Sequence, residues 1–286
     1  MKNVATFSLD AKIYSHSASP VPVHTLVACI FPILHLLISG GAELPSIRLV
    51  DLRSGDVAQT LAGHSFGFVV AVRWSPTHPH LLASGGMDGT VRLWDVRRGK
   101  SCLASLDQHN TASRATGGWL NTTNKAHRGT VNGLEFTSDG LHLASLGHDE
   151  QMRVWDLETG LNTLVSFGPT IRNQARMEVK PYITPPDTCF ETFVYVPSDD
   201  SELLCFELFT GKLVSRLQVL GGSAGRVTCV AGRRGHQELY TGAIDTEIGI
   251  WESNLVYRPA EDSKVAENIL RGQQLLRDLS KAFIPG

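Results

Sequence analysis

Apolar side chains along this chain come in short bursts, not long stripes. FVVAVRW (68–74), LLASGG (81–86) and VRLWDV (91–96) are short apolar runs with stretches of step-two alternation, separated by Ser75-Pro76 and Met87-Asp88-Gly89. Bursts of roughly 4–8 residues bounded by such turns predict short strands joined by tight connections, hence antiparallel β-structure. The most apolar run, LVACIFPILHLLIS (26–39), is interrupted by Pro32 and His35. It is shorter than the roughly 18 residues a membrane span takes, so it predicts buried strand. It also lies too far from Met1, with no basic leader, to read as a signal peptide. Near the end, Leu270, Leu275, Leu276, Leu279 and Phe283 recur at about helical spacing among charges, which predicts a short amphipathic helix.

The bursts repeat. LAGHSFGFVVAVRWSPTHPHLLASGGMDGTVRLWDVRRGK (61–100), KAHRGTVNGLEFTSDGLHLASLGHDEQMRVWDLETG (125–160) and, more weakly, VTCVAGRRGHQELYTGAIDTEIGIWES (227–253) are copies of one pattern. Steps of four and six separate Ser84, Asp88 and Trp94; the same steps separate Ser145, Asp149 and Trp155, and Thr241, Asp245 and Trp251. Such self-similarity signals a repeat architecture. Units of about 40 residues with Gly-His early and Trp-Asp late resemble WD40 repeats, whose four-stranded blades build a propeller. The expected fold is therefore all-β: a WD40 β-propeller with about five blades in residues 1–256 and a short helical C-terminal tail at 257–286. The blades are expected at 11–61, 62–107, 125–167, 168–217 and 218–256, with Val50-Asp51 and Phe206-Glu207 standing in for Trp-Asp in the first and fourth. Residues 4–10 read as the last strand of an earlier blade, 29–38 as surplus length, and 107–126 as a long polar loop.

Composition narrows the function. A hydrophobic content of 42% with 19% charged residues is that of a globular chain able to bury a core. A net charge of −2 gives no general pull on a phosphate backbone, so direct nucleic-acid binding is not expected, and the basic clusters Arg97-Arg98-Lys100 and Arg233-Arg234 read as solvated surface. Cys29, Cys102, Cys189, Cys205 and Cys229 are scattered, odd in number and without a C-x-x-C pair, which argues against a disulfide framework or a zinc site and fits a reducing compartment. Asn121-Thr122-Thr123 is formally a glycosylation sequon, expected to be unmodified without a secretory signal.

His64, Ser84 and Asp88 supply the residue types of a hydrolytic triad, and His127, Ser145 and Asp149 do so again. A triad needs one set beside an oxyanion hole; here the set is duplicated ahead of a Trp, with no G-x-S-x-G elbow. The competing reading is a buried chain of Asp, His, Ser and Trp that ties the strands of a blade together, each polar group satisfied by the next. On that reading His64, Ser84, Asp88 and Trp94 form one tetrad, His127, Ser145, Asp149 and Trp155 another, and Thr241, Asp245 and Trp251 a partial third. His78, His80, His142 and His148 lack Cys or acidic companions at a ligand spacing, so no metal and no cofactor are expected, and no Gly-rich phosphate loop precedes a helix. The chain reads as a non-enzyme.

A last feature is specific to one repeat. From Leu81 to Arg97 the chain runs apolar-apolar-small-small, then Asp88, then VRLWDVR. This is similar to the motif by which many WD40 proteins dock on the damaged-DNA-binding adaptor of cullin-4 ubiquitin ligases, and the Arg two places after the Asp distinguishes it. The next repeat has Glu158 in that place. Together with LDQHN (106–110), VNGLEFTSDGLHL (131–143), NTLVSFG (162–168) and QELYTGAIDTEI (237–248), this text resembles the Cockayne syndrome group A family from about residue 4 to 254. The resemblance implies a seven-bladed propeller whose first two blades are missing here. It also implies a non-catalytic substrate receptor of a cullin-4 RING ubiquitin ligase in transcription-coupled nucleotide-excision repair, in the nucleus. Its implied partners are the adaptor, the cullin-4 RING complex, the Cockayne syndrome group B ATPase and the stalled RNA polymerase II machinery. Trp94, Asp95, Arg97 and Arg98 are then expected on the adaptor side, with Trp94 acting through the blade frame. The alternative is a WD40 scaffold of another nuclear protein complex.

Overall fold

The computed structural model describes residues 15–19, 26–30, 46–98, 102–111, 125–189, 191–218, 226–233, 236, 238–244 and 248–252. The chain divides into a unit of residues 1–251 and a second of 252–286. The strands belong to the first, apart from the last residue of the final one, and beyond Glu252 the second lies outside the described residues. Residues 4–10, 31–38, 112–124 and the expected helical tail likewise lie outside them.

Among the described residues, five antiparallel sheets follow one another. The first holds β1 (Ser15–Ala18), β2 (Leu26–Ile30), β3 (Ser46–Asp51) and β4 (Val57–Ala62). The second holds β5 (Val69–Trp74), β6 (Leu81–Gly86), β7 (Val91–Asp95) and β8 (Cys102–Ser105). β9 (Val131–Phe136), β10 (His142–Gly147), β11 (Met152–Asp156) and β12 (Leu161–Asn162) form the third. The fourth is β13 (Tyr182–Ile183), β14 (Phe193–Pro197), β15 (Glu202–Glu207) and β16 (Leu213–Gln218), and the fifth is β17 (Val227–Gly232), β18 (Glu238–Ala243) and β19 (Ile248–Glu252). In every sheet the strands lie in chain order, a meander, as short turns demand. The all-β propeller expected from the repeats is the fold observed.

The second and third sheets bury both faces of their inner strands, which is why these read as bursts of apolar residues and not as strict alternation. One core lies between the first two sheets, where Ile30, Ile47 and Leu49 meet Val72, Leu82 and Trp94. The next joins Ala71, Ala83 and Leu93 to Leu134, Leu143 and Trp155. A third packs Leu146 and Val154 against Val194, Val196 and Phe206, the residue standing where a Trp would. The innermost strands are stitched together as well: the Lys180 amide donates to Thr228 O at 2.9 Å, and Val230 N donates back to Lys180 O at 3.1 Å. Arg73 of β5 pairs with Glu135 of β9 at 3.1 Å and with Glu178 at 3.1 Å, so one guanidinium ties three successive parts of the inner ring. Burial pushes the Glu178 carboxyl up, and Arg73 offsets part of that.

The fifth sheet differs. Ile248 and Ile250, two apart on β19 and hence on one face, are 75% and 65% exposed, where the same positions of the second and third sheets lie in a core.

Candidate functional site

The register of the second and third sheets is the same. Trp94 faces Leu82 across β6 and β7, and Trp155 faces Leu143 across β10 and β11. Ser84 and Ser145 sit two residues further on the same face, so each indole reaches its serine diagonally. Trp94 Nε1 donates to Ser84 Oγ at 2.8 Å, and Trp155 Nε1 to Ser145 Oγ at 2.8 Å. His64 Nε2 lies 2.8 Å from Ser84 Oγ and its Nδ1 lies 3.0 Å from Asp88. In the third sheet the corresponding distances are 2.7 Å from His127 to Ser145 and 2.8 Å to Asp149. A carboxylate only accepts, so Nδ1 carries the proton and Nε2 accepts from the serine hydroxyl. The order is then Trp N–H to Ser, Ser O–H to His, His N–H to Asp. The aspartates close the chain by accepting Ser65 N at 2.8 Å and Arg128 N at 3.2 Å.

These hydroxyls have no opening to a substrate: Ser84 and Ser145 are buried, as are His64 and His127. The arrangement ties two strands, the turn between them and the preceding loop together and presents no nucleophile. Burial works against the Asp88 charge, but His64, the Ser65 amide and Thr90 outweigh it and hold the carboxyl well below the usual range. Burial likewise opposes Asp149, where His127, Arg153 and the Arg128 amide prevail. Burial pushes the His127 imidazole down, so the ring is neutral at pH 7. In the fifth sheet Trp251 Nε1 donates to Thr241 Oγ1 at 3.1 Å, and Asp245 lies outside the described residues.

Two contributors were not expected from sequence. Thr90 donates to Asp88 at 2.7 Å, while the third sheet has Gln151 at that step and uses Arg153 instead, 2.9 Å from Asp149. An Arg two places before each Trp, Arg92 and Arg153, was a readable repeat. A glycine also proves essential: a Cβ on Gly147 would stand 2.5 Å from His127 Nδ1 and 2.8 Å from Asp149, and one on Gly86 would meet His64 and Asp88 at the same distances. Gly147→Ala is therefore expected to lower unfolding free energy by about 1–3 kcal/mol, measured by urea denaturation. A stability equal to wild type would mean that the tetrad is looser than this.

The histidines do not assemble. His142 opens β10 and stacks edge-on against Phe209 at 5.0 Å, whereas His148 follows the other end of the strand and meets Ala175 O at 2.7 Å. His78 lies 3.0 Å from Thr77 Oγ1.

At the other end of β7, Asp95 organises the turn that follows. Its carboxylate accepts Arg97 N at 3.0 Å and takes both arms of the Arg97 fork, Nε at 2.9 Å and Nη2 at 2.7 Å. The Arg97 bonds hold the Asp95 carboxyl down to about 2. Arg97 remains 65% exposed and Arg98 is exposed beside it, 3.9 Å from Asp95. Trp94 and Asp95, expected on the adaptor side, are themselves buried. Trp94 sits in the sheet core, where a role through the blade frame places it, and Asp95 holds the Arg97 fork from beneath.

Two stretches of the chain, residues 55–95 and 118–156, match the WD domain, G-beta repeat family. These two stretches are WD40 repeats, and the succession of antiparallel sheets agrees with a WD40 propeller. It is similar to WD repeat-containing protein ATCSA-1 of Arabidopsis thaliana, 28% identical over 87% of this chain and 64% of that protein. It is similar to DDB1- and CUL4-associated factor 13 of Dictyostelium discoideum, 36% identical over 35% of this chain and 18% of that one. The guanine nucleotide-binding protein subunit beta of Nicotiana plumbaginifolia is 26% identical over 76% of this chain and 52% of its own length. The chain thus spans less than two thirds of the length of each of these relatives.

Proposed function

We propose that this WD40 protein is a non-catalytic substrate receptor of a cullin-4 RING ubiquitin ligase, acting in transcription-coupled nucleotide-excision repair in the nucleus. Its work is positioning: one surface holds the damaged-DNA-binding adaptor, another holds the target, and the ligase's own module does the chemistry. The observation that carries the reading is the Arg97 fork, held outward by a buried Asp95 in the one repeat with the docking motif. A guanidinium fixed in this way loses little freedom on binding and is a frequent interface anchor. The similarity to ATCSA-1 across most of the chain, and to a protein named for its association with DDB1 and CUL4, supports the same reading. The Cockayne syndrome group B ATPase and the stalled RNA polymerase II machinery are the further partners it implies.

The test is co-purification of this chain from nuclear extract. Recovery of the adaptor and cullin-4 is expected. A folded chain that recovers neither sinks the reading and favours the scaffold of another nuclear complex, which the likeness to a G-protein β subunit keeps in view.

A further inference from the structure

A second surface lies at the opposite end of the strands from the Arg97 turn. Asp88 and Asp149 occupy the β6–β7 and β10–β11 turns, whereas Arg97 follows the other end of β7. At that end the third sheet holds a cavity of about 460 Å³. That volume lies in the range that takes a small ligand or a few side chains of a peptide.

Hydrogen bonds join its walls. Asn110 Nδ2 donates to Asn162 O at 3.0 Å, Asn162 N donates to Asn110 Oδ1 at 2.8 Å, and Asn162 Nδ2 donates to Gln108 O at 3.0 Å. These three bonds clamp the 108–110 turn against the end of β12. On the inner side Arg153 is occupied, by Asp149 at 2.9 Å and by Gln108 Oε1 at 3.2 Å. Asp149 is the one acid in the lining, and Arg153 compensates it. The Arg128 guanidinium, also in the lining, is exposed and has no side-chain partner among the described residues, so the mouth carries surplus positive charge.

Beside that charge stands an apolar group. Leu164 is 68% exposed and adopts φ of 60°, a left-handed conformation uncommon for a bulky residue. Its amide donates to Asn162 Oδ1 at 3.0 Å, which holds the backbone there. Strain of this kind, kept on a surface, is a pointer to use. The combination is selective. A phosphate or nucleotide site would gather several free cations or a run of backbone N–H groups, and would gain nothing from a leucine. Here one free guanidinium, neutral amides of Gln108 and Gln151, and Leu164 with Val165 share a single mouth.

We propose that this pocket binds an acidic, extended segment of a partner protein. A carboxylate of the segment pairs with Arg128, and an adjacent apolar side chain rests on Leu164 and Val165. The proposal is independent of what Arg97 contacts.

The probe is a short fluorescein-labelled peptide alternating glutamate and leucine, titrated against the full chain by anisotropy, with a glutamine–leucine counterpart and inorganic phosphate as competitors. The acidic peptide is expected to bind at least about tenfold tighter than its neutral counterpart and to weaken with salt. Arg128→Glu is expected to lose at least about tenfold, and Leu164→Asn several-fold, since Asn suits a left-handed backbone and removes only the apolar contact. Arg97→Glu should bind like wild type. Thermal melts accompany each variant, and Arg128→Gln replaces the reversal if that one unfolds. Equal affinity for the two peptides, wild-type affinity in a folded Arg128 variant, a loss in Arg97→Glu as large as in Arg128→Glu, or displacement by phosphate at the peptide's own concentration each overturns the proposal.

Discussion

Trp155→Ala is expected to lower unfolding free energy by about 3–5 kcal/mol. The indole is wholly buried between the second and third sheets, against Ala71, Leu134 and Leu143. Truncation leaves a large cavity in a core built from two blades, so relaxation of one cannot fill it. It also removes the N–H that Ser145 accepts. Asp149→Ala acts at the other end of the same chain. It strands the His127 ring, the Arg128 amide and part of Arg153 without an acceptor, at about 1–3 kcal/mol. Because the folded Asp149 carboxyl titrates below its unfolded value near 4, its contribution is complete above that value and is lost as pH falls through the folded one. Wild type should therefore lose stability below about pH 4, and Asp149→Asn should show a shallower loss over that range. Denaturant titrations at neutral and acid pH measure both. Wild-type unfolding in Trp155→Ala and Asp149→Ala would remove the structural reading of the tetrads.

The tetrads were legible because their partners come from neighbouring strands joined by short turns. Ser84, Asp88 and Trp94 fall within eleven consecutive residues, and β6 and β7 fix their geometry once the turn is made. The duplicated spacing then decided against a triad. Other parts were beyond the sequence because their partners are far apart in it. Arg73 meets Glu135 and Glu178 only after three sheets have been set side by side. The pocket exists only once the 108–110 turn is laid on Asn162, more than fifty residues later. Leu164 carries no Gly or Asn signal for its left-handed backbone. The Asn162 side chain imposes it. Asp95 was legible only in part. Its place in the Leu81-to-Arg97 pattern marks it, yet an Asp two residues before an Arg in a tight turn is also a local acceptor. The structure adds that it is buried and holds both arms of the Arg97 fork.

Arg97→Glu is expected to weaken binding of the damaged-DNA-binding adaptor by at least roughly thirtyfold, while leaving the melt near wild type. The turn itself does not depend on the guanidinium. Its backbone bond, Arg97 N to Asp95 Oδ1 at 3.0 Å, has a counterpart in the next repeat, where Glu158 N donates to Asp156 Oδ1 at 2.9 Å. A glutamate is therefore accommodated at this position of a blade. What changes is the surface. In wild type Asp95 stays ionised down to about pH 2 and holds the fork by Nε and Nη2, which leaves Nη1 and one edge free for a partner carboxylate. In the variant the carboxylate at 97 is repelled by Asp95, swings into solvent and meets an acidic counterpart with the wrong sign. Asp95→Asn separates orientation from charge: it keeps an acceptor but frees the fork, so a smaller loss is expected. Glu158→Arg is the control for charge alone, since it adds a guanidinium to a repeat without the Leu81-to-Arg97 pattern, and it should not raise affinity. Adaptor titration against these variants, with melts in parallel, decides the matter. Unchanged affinity in folded Arg97→Glu would leave the ligase-receptor reading with no residue to stand on and only its likeness to other WD40 proteins.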